Sequence, residues 1–232
     1  MDSFETNIRN YWNYYLELES ELVQTKRYVE FSETNKGVFS IEFLKLYQAI
    51  CSEIDVIGKY IASFLDKDFD NKNKGINNWW FILQNKLCVS KDVNDYYNPS
   101  KIHLNVRAVK VFNYLMGKDY SPWKGYEVEE YKNKKGVFRL KLKNGSSTPK
   151  WWSDYNSVKH HRTEKTNGCL NFSKANLNNV CESIAALYIL ELAVIELSAN
   201  SKIVLERFYN ESQLFEKTEF AASVDINTLF FK

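Results

Sequence analysis

The stretch IAALYILELAVIEL, residues 184–197, is the most apolar run of the chain and decides its fold class. Its apolar side chains fall on nearly every side of a helix, which is typical of a helix buried in a core. The run is too short and, with Glu191 and Glu196, too charged to cross a bilayer, which needs about 20 apolar residues. We therefore predict no membrane span and a central buried helix, capped by Ser173 and ending near Asn200.

Two amphipathic stripes near the start of the chain predict a pair of long helices. Apolar residues recur at steps of four and three from Phe4 to Leu22, which predicts a helix over residues 3–30. A second stripe runs from Phe43 to Phe64, and Ser40 is placed to cap it. The short polar break between the stripes favours antiparallel neighbours. The polar run 66–74 then predicts a loop.

The next part of the chain predicts one helix and one ambiguous segment. A helix is expected within residues 75–98, with Trp79 and Trp80 in the core. Residues 100–116 fit either a helix or a strand, because their apolar residues match both periods. Gly117 resembles a helix stop and favours the helix.

Residues 120–147 predict a β-hairpin inserted into an otherwise helical protein. Phe138, Leu140 and Leu142 alternate with cations, and NKKG is a turn signal. Pairing Tyr131 with Val137 would set Glu129 opposite Arg139. The cations then form either a patch for nucleic acid or an ordinary solvated face, and their acidic partners favour the solvated face.

Composition sets the broad class of the protein. The 232 residues are 44% hydrophobic and 26% charged, which is enough for one large domain. The net charge of +2 gives no overall attraction to nucleic acid. The four cysteines show no CxxC spacing, so no metal site and no cofactor are expected. No secretory signal is recognisable, and a cytoplasmic protein is expected.

A further short helix is expected after Lys202.

The stretch TPKWWSDYNSVKHHR, residues 148–162, holds two of the three histidines of the chain among tryptophans and cations. Thr148 as cap and Pro149 at the first position predict a helix ending near Thr163. Such a helix aligns two sets of side chains on adjoining faces: Trp152, Asn156 and His160, and Tyr155, Lys159 and Arg162. An imidazole, an amide and cations suit phosphodiester chemistry, in which His transfers a proton and a cation stabilises phosphoryl charge. A purely structural helix with a polar end explains the same residues.

The segment YNSVKH, residues 155–160, resembles the RNxxxH signature of the HEPN superfamily, with Tyr155 in place of the arginine. The wider pattern WWxxYNxVKHxR is similar to bacterial HEPN-like proteins, some of them linked to phage defence. The resemblance implies an up-and-down helical bundle, one domain over residues 1–232, and a homodimer that cleaves RNA without a metal. It implies His160 as general acid or base, with Asn156 orienting it.

The missing arginine leaves two hypotheses open. In the first, the chain is a ribonuclease of a defence or toxin system, and Lys159 or Arg162 supplies the missing charge. Its substrate contacts Tyr155, Trp152 and His161. An antitoxin or another defence protein is the expected partner. In the second, the chain is a catalytically inactive interaction or dimerisation module. The first requires Asn156, His160 and at least one of Lys159 and Arg162 to line an open cleft, and the second requires Asn156 and His160 to be buried. A nucleotide or other small-molecule pocket beside Trp152 and Tyr155 is a third hypothesis. His103 is assigned a core or surface role.

Overall fold

The computed structural model describes residues 3–70, 75–87, 105–197 and 212–217. Its described helices are α1 Ser3–Gln24, α2 Ile41–Leu65, α3 Ile76–Lys86, α4 Lys150–His161 and α5 Leu177–Leu197. Its described strands are β1 Val111–Asn113, β2 Lys118–Tyr120, β3 Val128–Lys132, β4 Phe138–Leu142, β5 Lys165–Thr166, β6 Cys169–Leu170 and β7 Phe215–Lys217. The predicted mainly α class is confirmed, with small antiparallel sheets added to the helices.

Helix α5 is the centre of the core, as its sequence predicts. Every residue from Val180 to Ile195 except Glu182 is buried, and α5 contacts α1, α2 and α4. The predicted cap at Ser173 is wrong, because Ser173 lies in a 3-10 turn and its hydroxyl donates to the Leu170 carbonyl. Asn176 caps α5 instead, since its side-chain oxygen accepts from the Asn179 amide at 3.0 Å. None of the described helices is long and apolar enough to cross a membrane.

Helices α2 and α3 pack through a glycine contact. The predicted cap of α2 is confirmed, because the Ser40 hydroxyl accepts from the Phe43 amide at 3.0 Å. A Cβ atom placed on Gly58 would lie 2.6 Å from the Trp79 ring, so only glycine lets α3 approach this closely. Trp79 and Trp80 are both 0% exposed, which confirms their prediction as core residues.

Helices α1 and α4 are shorter than the sequence predicts, whereas the helix predicted within residues 75–98 is confirmed as α3. Helix α1 ends at Gln24 and continues as a 3-10 turn over Thr25–Arg27, so its predicted extension to residue 30 is wrong. Helix α3 ends at Lys86, and residues 88–98 of its predicted range lie outside the described residues. Helix α4 begins at Lys150 and ends at His161, within the predicted span 148–163.

The helix favoured over residues 100–116 is wrong over its described part, residues 105–116. Strand β1 lies there, in the middle of a sheet with the order β2-β1-β7. Asn113 accounts for the difference, because its side-chain oxygen accepts from the amides of Leu115 at 2.9 Å and Met116 at 3.0 Å. Gly117 has a positive φ of 62° and closes this turn, so the apparent helix stop is a hairpin residue.

Strands β3 and β4 pair antiparallel, but the predicted register is wrong by two residues. Asn133, rather than Tyr131, is opposite Val137 and bonds to its carbonyl at 2.9 Å. The Asn133 side-chain oxygen accepts from the Lys135 and Val137 amides, which fixes the turn. A shift of two keeps the alternation of faces, so opposite charges still meet. Glu129 now pairs with Lys141 at 2.9 Å.

The last described segment, residues 212–217, returns to the first helix of the chain. A helix is predicted after Lys202, but Phe215–Lys217 form β7, and residues 198–211 lie outside the described part. Glu19 of α1 is 2% exposed and accepts from the Ser212 hydroxyl at 2.6 Å, the Gln213 amide at 2.9 Å and the Leu214 amide at 3.1 Å. This carboxylate therefore joins residues almost 200 positions apart.

Candidate functional site

Helix α4 carries the motif and is fixed by its buried side. Its N-terminus differs from the prediction, because Pro149 is the cap and its carbonyl accepts from the Trp152 amide at 3.0 Å. The Thr148 side chain makes no capping bond among the described residues. The Tyr47 hydroxyl of α2 donates to the Trp151 carbonyl, and the Trp151 indole donates to the Pro122 carbonyl at 3.2 Å. These bonds set the rotation of α4 on the core.

Asp154 is a buried anchor that sequence reasoning missed. It is 6% exposed and accepts from the Asn179 amide group at 3.1 Å, which ties α4 to α5. Lys174 lies 3.6 Å from its other oxygen, and Lys150 one turn earlier completes the ion pairs. The i, i+4 spacing of Lys150 and Asp154 was the available signal in the sequence.

Tyr155 occupies a core position rather than a surface one. It is 5% exposed, and its ring packs edge-on against Tyr47 with a centroid distance of 5.9 Å and lies 5.2 Å from the Trp152 ring. Burial raises the pKa of Tyr155 to about 12, so the side chain is neutral at physiological pH. Its hydroxyl makes no hydrogen bond to any described residue. Position 155 is thus built for an aromatic ring, which accounts for the missing arginine.

A pocket of about 360 Å³ opens beside this ring, between α2, the start of α3 and α4. Helix α4 contributes Trp152, Tyr155, Asn156 and Lys159 to its lining. Four of the seven predicted site residues therefore surround one cavity. Asn156 is half-buried and Lys159 is exposed, so the cavity has a polar, solvent-facing edge on this side.

The opposite wall comes from Ser52, Asp55 and Val56 of α2 and from Gly75 and Ile76 at the start of α3. Asp55 is already engaged, since its two oxygens accept from the Trp79 indole at 3.0 Å and pair with Lys59 at 2.5 Å. Its negative charge in the pocket is therefore largely balanced.

Lys159 provides a cation for the pocket. Its ammonium lies 5.5 Å from the centroid of the Tyr155 ring, a distance at which the ring face attracts a cation. Within residues 3–70, 75–87, 105–197 and 212–217 it pairs with no carboxylate. The charge absent from position 155 is thus present one turn later, over the same ring.

The remaining predicted residues lie at the exposed end of α4, and the pocket lining does not include them. His160 is exposed, with its ring 6.4 Å from that of His161. His161 is also exposed, and its Nδ1 lies 2.9 Å from a Glu164 carboxylate oxygen. Arg162 is exposed, and its backbone carbonyl accepts from the Phe172 amide at 3.1 Å. His103 lies outside the described residues.

Neither the enzyme hypothesis nor the structural hypothesis for the motif agrees in full with the positions of Asn156 and His160. Asn156 lines an open pocket, as the enzyme hypothesis requires, but His160 is neither in that pocket nor buried as the structural hypothesis requires. In the described part of the chain, no three His, Cys, Asp or Glu side chains are grouped as a metal site needs. On the hairpin, Lys141 and Lys143 pair with Glu129 and Glu127, which favours a solvated face over a basic patch.

Searches of protein-family models, of curated proteins and of solved structures found no match to the chain.

Proposed function

We propose that this chain is a HEPN-like RNA-binding protein that acts as a cytoplasmic homodimer and cleaves RNA without a metal ion, in a bacterial defence or toxin system. Its helices would form an up-and-down bundle, with the region around residues 120–147 inserted before α4 in a single domain. The observation that carries the proposal is the position of the Lys159 ammonium over the buried Tyr155 ring, beside Asn156. The motif thereby keeps a cation although its arginine is replaced.

The proton-transfer group of this reaction is His160. Its imidazole is exposed one turn beyond Asn156, so it is accessible to a phosphodiester, and histidine is the side chain most often used as a general acid or base. Cleavage removes the proton of a ribose 2′-hydroxyl, whose oxygen forms a bond to phosphorus. The bond to the 5′-oxygen breaks, and that oxygen takes up a proton. The products are a cyclic phosphate and a 5′-hydroxyl.

A dimer would supply both proton-transfer groups. One copy presents one exposed imidazole at position 160, whereas the reaction needs a base and an acid at the same phosphate. Because His160 and Arg162 both lie at the exposed end of α4, two copies facing each other there would bring two His160 imidazoles and two Arg162 guanidinium groups to one strand. An antitoxin or defence partner would regulate the protein by covering this end.

The alternative function is a catalytically inactive interaction or dimerisation module. The observation that favours it is the burial of Tyr155 and Trp152, which makes most of the motif helix part of the core. In such a module α4 holds α2 and α5 together, and its exposed end contacts a partner.

The test is cleavage, in EDTA, of a mixed pool of structured and single-stranded RNA. His160→Ala should reduce the rate by about 100-fold or more, the usual effect of removing a general acid or base. His161→Ala is the matched control, because its ring pairs with Glu164, and it should lose less than about tenfold. Circular dichroism verifies folding of each variant. Equal rates in both variants would reject His160, and absence of cleavage by the wild type would favour the module.

A further inference from the structure

The pocket between α2, α3 and α4 combines a cation, Lys159, with the Tyr155 hydroxyl, which bonds to no described residue. We propose that it is a binding site for a small phosphomonoester, a sugar phosphate or a mononucleotide, with the phosphate at Lys159 and the start of α3. The site shares Asn156 and Lys159 with the proposed RNA site but does not use His160. It therefore stands or falls separately from RNA cleavage.

The first argument is the unused charge of Lys159. A lysine beside a cavity, unpaired with carboxylates in the described residues, is available to an anionic ligand. Gly75 and Ile76 line the same pocket where the 11-residue helix α3 begins, so the positive end of its dipole also faces an anion bound there. Lysine and a helix N-terminus together favour a phosphate.

The second argument is the hydroxyl of Tyr155. The side chain is 5% exposed, yet no described residue accepts from or donates to its oxygen. The hydroxyl oxygen is not fully shielded from solvent, unlike that of Tyr120, so a ligand in the cavity can bond to it in place of water. Burial keeps the phenol neutral by raising its pKa to about 12, so it donates a hydrogen bond to an anion without repelling it.

The third argument defines the rest of the ligand. Asp55 keeps accepting capacity after its bonds to Trp79 and Lys59, and it suits hydroxyl or amino donors such as those of a sugar or a base. Val56 and Ile76 provide apolar surface beside it. A volume of about 360 Å³ lies within the range of small-molecule pockets and holds a ligand of mononucleotide size.

The test is calorimetric titration of the full chain with inorganic phosphate, ribose 5-phosphate and the four ribonucleoside monophosphates. Saturable binding of at least one ester is expected. Val56→Trp, which fills the pocket from a side chain 44% exposed, should abolish it, and Lys159→Ala should weaken it about tenfold or more. Lys45→Ala is the control. This exposed lysine lies ten residues before Asp55 on α2, about 15 Å along the helix, and binding should not change.

Tyr155→Phe separates binding from folding. The hydroxyl makes no bond within the described protein, so its removal should leave the urea midpoint unchanged while weakening the ester about three- to tenfold. Absence of binding by every ester at 1 mM, on the order of the weakest affinities of such sites, would overturn the proposal. Retained binding in Val56→Trp would also overturn it, as would inorganic phosphate binding as tightly as every ester. Loss of RNA cleavage alone would affect only the proposed function.

Discussion

Replacing Glu191 by leucine should stabilise the protein, and by more as the pH rises. Glu191 is 0% exposed, and neither of its carboxyl oxygens has a hydrogen-bond partner among the described residues. Burial, and to a lesser extent the charge of Glu53, raises the pKa of Glu191 well above its ordinary value of 4.5. The folded protein therefore keeps a proton on this carboxyl where the unfolded chain has lost it.

The size of the effect follows from proton linkage. Between about pH 4.5 and the raised pKa of Glu191, folding takes up one proton, so this residue lowers the free energy of unfolding by about 1.4 kcal/mol for each pH unit. Leucine removes that dependence. It also removes an unsatisfied buried polar group, which costs about 1–3 kcal/mol at any pH.

Urea denaturation of the wild type, Glu191→Leu and Glu191→Gln at pH 5, 6, 7 and 8 measures this difference. The stability gained by leucine should grow by about 1.4 kcal/mol per pH unit up to the raised pKa of Glu191. Glutamine should remove the same pH dependence but stay less stable than leucine, because its amide is still unsatisfied. Parallel pH curves for the wild type and the leucine variant would refute the reasoning, since they would mean that Glu191 titrates alike in the folded and unfolded states.

Three further substitutions test the packing of the helices. Gly58→Ala should lower the free energy of unfolding by about 1–3 kcal/mol, because the added methyl group would lie 2.6 Å from the Trp79 ring. We expect a lower urea midpoint and altered tryptophan fluorescence. An unchanged midpoint would refute the contact. Tyr155→Arg restores the motif arginine but buries a charge against Tyr47, so the free energy of unfolding should fall by about 3 kcal/mol or more. An equally stable variant in the same urea assay would mean that position 155 lies at the surface. Asp154→Ala should cost about 2 kcal/mol in thermal or urea unfolding, and no loss would contradict its role as an anchor of α4.

Long helices were predictable because burial of one helix face places apolar residues at the helical spacing in the sequence. The apolar run 184–197 and the stripe of α2 both specify which side faces the core, and both are buried as expected apart from Phe64, which is 49% exposed near the end of α2. Local turn chemistry was harder to predict. Asn113 and Asn133 each fix a turn through side-chain bonds to following amides, and the hydrophobic pattern carries no trace of those bonds.

The candidate site was predictable as a helix face but not as a cavity. Spacing placed Trp152 and Asn156 on one face and Tyr155 and Lys159 beside it, and all four line the pocket. The opposite wall, including Asp55, comes from residues about a hundred positions earlier and depends on how α2 packs against α4. A single sequence does not encode that distance in any local pattern, and the same holds for the exposure of His160.

The bonds between Glu19 and residues 212–214 can form only late in the synthesis of the protein. Helix α1 is translated first, but apart from the Tyr15 hydroxyl of the same helix the groups that satisfy its buried carboxylate are almost 200 residues away along the chain. At synthesis rates of about 5–20 residues per second, Glu19 waits roughly 10–40 seconds for them. During that interval Glu19 lacks its bonds from residues 212–214, although α2 and α5, the helices that α1 contacts, have already been made. A ribosome that pauses before residue 212 would prolong the time for which this buried carboxylate lacks those bonds.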